Sequence, residues 1–101
     1  QAQIRKDSMA NWVSECERNG RALCQRGGAD SILERLTDSE APASLSGIGQ
    51  WAVDQIVREL IAERRIEKFS FSTTGGRKWL GTVDGVMSRG EYEARTARDN
   101  I

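Results

Sequence analysis

Residues 53–83 constrain the fold of this chain more than any other stretch. Val53, Ile56, Val57, Leu60 and Ile61 recur at spacings of three and four, which predicts a helix with one apolar face. Glu63-Arg64-Arg65 interrupts that period. Alternation then begins at Ile66-Glu67-Lys68-Phe69-Ser70-Phe71. After Ser72-Thr73-Thr74-Gly75-Gly76 comes a second run, Arg77-Lys78-Trp79-Leu80-Gly81-Thr82-Val83. Two such runs around a glycine-rich tip predict a two-stranded ribbon. Its pleat puts Phe69 and Phe71 on one face, with Lys68 and Ser70 on the other. On the return strand Trp79 and Val83 share a face, opposite Lys78, Leu80 and Thr82.

The remaining segments supply a helical body. Met9, Trp12, Val13, Cys16, Gly20 and Leu23 form an apolar stripe. They predict a helix from about Ser8 to Arg26, capped by Asp7 or Ser8 and ended by Gly27-Gly28. Two pieces joined at Asn19-Gly20 are the alternative. Asp30 is the expected cap of a short helix with Ile32, Leu33 and Leu36 inward. Residues 43–49 read as a shortened helix or a single turn, because Gly47 and Gly49 weaken it. Gln50 to Glu63 forms the main helix. Ser88 and Glu91 fit a capping box for a last, lightly packed helix from about Arg89 to Arg98. The expected organisation is one domain over residues 1–101. It divides into a helical extension at 1–28, a core at 29–84 and a C-terminal helix or tail at 85–101. A start at Gln1 suits a domain cut from a longer protein.

Charge says little globally and more locally. Fifteen basic residues balance fifteen acidic ones. Yet residues 64–78 carry five basic side chains and one acidic, so positive charge gathers on the ribbon. No run is long and apolar enough to span a bilayer and no signal pattern occurs, so a cytoplasmic protein without membrane attachment is expected. Cys16 and Cys24, eight apart, read as reduced thiols. The chain has no histidine, which removes histidine-based acid–base catalysis and the usual zinc ligand sets. Gly75-Gly76-Arg77-Lys78 lacks the spacing of a phosphate-binding loop. Neither an enzyme nor a cofactor-binding protein is expected.

The run from Ala52 to Glu67 resembles the third helix and first wing strand of winged helix-turn-helix DNA-binding domains. Thr74-Gly75-Gly76-Arg77-Lys78-Trp79-Leu80 is similar to their wing tip and return strand. Ile32-Leu33-Glu34-Arg35-Leu36 resembles their first core helix. The pattern covers residues 30–84. It departs from the family at Arg64, where members usually carry glycine, and in the short, glycine-rich second helix. The fold class this implies is mainly α with a β-hairpin wing: a winged helix with an extra N-terminal helix and a light C-terminal helix. The function it implies is binding of nucleic acid, double-stranded DNA foremost. Such domains are accessory modules of replication, plasmid or phage transfer, and transcription-regulation proteins. A homodimer or a larger parent protein is the expected assembly.

Phosphate binding needs cations and donors that can approach a backbone. Arg77 and Lys78 at the tip, with Arg64, Arg65 and Lys68, meet that need, and Thr73 and Thr74 can donate to phosphate oxygens. For base readout the outward face of the main helix offers Gln50, Gln55 and Arg58. Asp54, Glu59 and Glu63 on or beside that face repel phosphate. The alternative is a protein-interaction module that uses Trp51, Asp54 and Glu59. Trp51 either anchors an interface or folds back on Leu45 and Ile48. Trp12 and Trp79 lie on apolar stripes and are expected in the core. Arg18, Arg21 and Arg26 either extend the DNA face, bond acidic partners or lie solvated.

Overall fold

The computed structural model describes residues 2–21, 23–70 and 78–83. Helix α1 (Ala2–Arg18) is followed by strand β1 (Leu23–Cys24), helix α2 (Ile32–Arg35), a 3-10 turn (Ala43–Leu45), helix α3 (Gln50–Ala62) and strands β2 (Ile66–Ser70) and β3 (Lys78–Thr82). The strands form one antiparallel sheet in the order β1-β3-β2. The expected helices and the antiparallel β2–β3 pair are present among the described residues, and a third strand makes the body mixed α/β rather than mainly α. The tip residues 71–77 and the C-terminal helix expected at 89–98 lie outside the described residues.

The third strand comes from what was expected to be helix. α1 starts at Ala2, six residues before the expected start, and stops at Arg18. Gly20 adopts φ 74°. Its N–H bonds to the Glu17 carbonyl at 3.1 Å and that of Arg21 to Cys16 at 2.8 Å. This crossed pair closes the last helical turn and needs a left-handed residue at its centre. Glycine adopts that conformation without the Cβ clash. The Asn-Gly turn thus ends the helix and frees Leu23 and Cys24 to pair with Leu80 and Trp79. Gly27 and Gly28, at φ 75° and 89°, turn the chain between β1 and α2 instead of ending α1. Ser31, not Asp30, caps α2, accepting from the Glu34 N–H at 3.4 Å.

α3 ends in the same crossed pair, with a costlier centre. The Arg64 N–H bonds to Ile61 at 3.0 Å and the Arg65 N–H to Leu60 at 2.9 Å. Arg64 sits at φ 60°, where its Cβ crowds the backbone. Arg64→Gly is expected to stabilise the fold by about 0.5–1 kcal/mol, the relieved crowding being partly offset by the freer unfolded chain. Urea unfolding would show a raised midpoint with an unchanged slope. A lowered midpoint would mean that the arginine side chain holds the turn.

The core lies between α1, α3 and one face of the sheet. Met9, Val13, Leu23, Leu45, Val53, Val57, Leu60, Ile66 and Leu80 are buried there, and α1 supplies it as fully as α3 does. Trp12 and Trp79 are buried as expected. Cys16 and Cys24 are buried and unbridged, and burial pushes the Cys16 thiol up from its ordinary value. Glu17 is buried as well. It accepts from the Thr82 hydroxyl and, at 3.3 Å, from the Thr82 N–H, which ties α1 to β3. No helix among the described residues is long and apolar enough to cross a membrane.

Candidate nucleic-acid interface

Lys68 pairs across the ladder with Leu80, and Ser70 with Lys78. Directly opposed residues share a face. Lys68, Lys78 and Leu80 therefore lie on the face that also carries the buried Ile66 and Leu23. Where the core ends, that face turns cationic. α3 runs alongside it and contributes Arg58, with Asp54, Val57 and Ile61. The loop after β1 closes the third side with Gln25 and Arg26. The result is a groove of about 340 Å³ between α3 and β2, continuing into one of about 310 Å³ that reaches Lys78 and Leu80.

Four cations line this groove, and Asp54 is the one carboxylate among its described lining residues. Asp54 is already saturated. Arg26 donates to it, Gln25 Nε2 donates at 2.8 Å and Gln50 Nε2 at 2.9 Å. The Arg26 guanidinium, aided by the two amides and opposed by burial, holds the Asp54 carboxyl well below the usual carboxylate range. Arg58, Lys68 and Lys78 are exposed and pair with no carboxylate among the described residues.

A carboxylate with a depressed folded-state pKa stabilises the fold above its unfolded value, about 3.9, and that contribution disappears as pH falls below it. At neutral pH, Asp54→Ala is expected to cost roughly 1–3 kcal/mol through its lost hydrogen bonds. The gap between wild type and variant should narrow between about pH 5 and pH 2. Urea melts across that range would show it, and a constant gap would mean that the ion pair contributes little.

The remaining expected site residues divide. Arg65 does not join the groove: its Nη1 bonds Asp7 on α1 at 2.9 Å and lies 3.7 Å from Glu63. Arg64 is exposed at the end of α3. Gln50 is drawn inward, bonding Asp54 and, at 3.1 Å, the Gln25 carbonyl, so it is not held out to read a base. Gln55 is half-buried. Thr73, Thr74 and Arg77 lie outside the described residues. Of the acidic residues expected to repel phosphate or to bind a partner, Asp54 pairs with Arg26 and Glu63 with Lys6, while Glu59 is exposed, 3.9 Å from the same Lys6. Trp51 does not fold back on Leu45 and Ile48. Those two are buried without it, and Trp51 is 77% exposed. The chain matches no protein-family model and has no significant match among curated proteins or solved structures. Arg26 is the groove cation that sequence reasoning left undecided. Its partner Asp54 lies 28 residues away, and no local pattern links the two.

Proposed function

We propose that this domain binds nucleic acid through phosphate contacts in the groove between α3 and the hairpin. The order of the elements and the β1-β3-β2 sheet are compatible with a winged-helix layout, in which β2 and β3 are the wing and α3 the helix before it. One observation carries the reading: Arg58, Lys68 and Lys78 come from a helix and two strands to line one groove whose carboxylate, Asp54, is already paired with Arg26. An ordinary solvated surface intersperses its charges with both signs. A concave site where three cations pair with no carboxylate among the described residues instead raises the local concentration of a polyanion.

The contacts this predicts are to phosphate, and they position a strand without reading it. Readout by α3 has less support, since Gln50 is engaged with Asp54 and Gln25. The competing reading, a protein-interaction module, keeps Trp51 and the exposed Glu59 but finds Asp54 paired with Arg26. The test is anisotropy of a labelled oligonucleotide at several salt concentrations. Affinity should fall linearly on a log–log plot, with a slope set by the number of phosphates contacted. Absence of binding at low salt, or binding indifferent to salt, would overturn the proposal.

A further inference from the structure

Trp51 and Arg58 stand seven residues apart on α3. Two helical turns separate them, so they point within about 20° of each other. They lie about 10 Å apart along the axis. The opposite face, Val53, Ile56, Val57 and Leu60, is buried. Trp51 is thus an indole held out on the outward stripe that, two turns on, supplies Arg58 to the cationic groove. The exposed indole offers a π face to a ligand.

We propose that the ligand is a nucleic acid with unpaired bases, one base stacking on Trp51 while the neighbouring backbone lies along Arg58, Lys68 and Lys78. This rests on the phosphate-binding reading above and adds strandedness to it. Pairing a cationic track with an aromatic platform is how proteins hold single strands, since every base has a π face and a duplex buries it. In an intact duplex the same ring would meet only the sugar–phosphate exterior or a groove edge.

The test uses a mixed-sequence 12-nucleotide single strand, the same strand annealed to its complement, and an abasic strand of equal length. Anisotropy and tryptophan fluorescence are read together. Trp12 and Trp79 are buried, so quenching by an added base reports Trp51. The single strand is expected to bind at least about tenfold tighter than the duplex and to quench the fluorescence. Trp51→Ala should weaken the single strand by about tenfold to a hundredfold and leave the abasic strand unchanged, while Trp51→Phe keeps most of the affinity. Equal affinity for strand and duplex, with Trp51→Ala unaffected, overturns the stacking proposal and leaves the phosphate groove standing. A Trp51→Ala loss shared by the abasic strand overturns it too, because the ring would then be acting on structure. If no oligonucleotide binds at low salt, both readings fall.

Discussion

Replacing Arg58, Lys68 and Lys78 together by glutamine is expected to weaken oligonucleotide binding by roughly a hundredfold or more at about 0.1 M salt. Each neutralised phosphate contributes about 0.7 to 0.9 to the slope of log affinity against log salt. Three lost contacts remove a slope of roughly 2 to 3, and 0.1 M lies a decade below the 1 M reference. The loss should therefore shrink as salt rises. All three side chains are exposed, so the fold should change by no more than about 0.5 kcal/mol. Arg65→Gln provides the contrast. Arg65 has the same charge and lies in the same basic run, yet it is paired with Asp7 and Glu63. Its removal should leave the salt slope unchanged and cost a little stability. A triple variant that keeps the wild-type slope, or an Arg65 variant that loses it, would place the phosphates somewhere other than this groove.

The difference between Lys68 and Arg65 shows where local pattern stops being informative. Alternation was enough to set Lys68 apart from Phe69 on β2 and Lys78 apart from Trp79 on β3, because side-chain direction in a strand has a period of two; only the register across the pair puts Lys68 and Lys78 on one face. The α3 period likewise set Arg58 outward and opposite Leu60. What local pattern does not contain is the partner. Arg64 and Arg65 are neighbours in sequence, but the turn that closes α3 sends Arg65 back to Asp7, 58 residues earlier. The Arg26–Asp54 pair spans 28 residues. β1 escaped for a related reason: two residues are too few to alternate, and Leu23 and Cys24 are strand only because Leu80 and Trp79 lie beside them. Asn19-Gly20 did carry a local signal. It competed with an apolar stripe that runs on through Gly20 to Leu23, and the left-handed glycine decided the matter.

Leu60→Ala should cost about 3–4 kcal/mol, and Ile61→Ala, one position on, about 1. Sequence periodicity assigns both residues to the inward face. The structure separates them. Leu60 is fully buried in a core with Met9, Val13, Ile66 and Leu80, where truncation removes apolar contact and leaves a cavity. Ile61 is half-buried and forms part of the groove wall, so water or ligand refills the space it leaves. Both substitutions keep the backbone carbonyls that close the turn, so the difference between them isolates side-chain burial. Domains of this size have a total stability of about 5–15 kcal/mol, which leaves the Leu60 variant folded but much closer to its limit. Its urea midpoint should fall by more than about 1 M at constant slope. Equal costs at the two positions would rotate α3 about its axis and carry Arg58 and Trp51 away from the groove. The pair therefore tests the orientation on which every proposed contact of this helix depends.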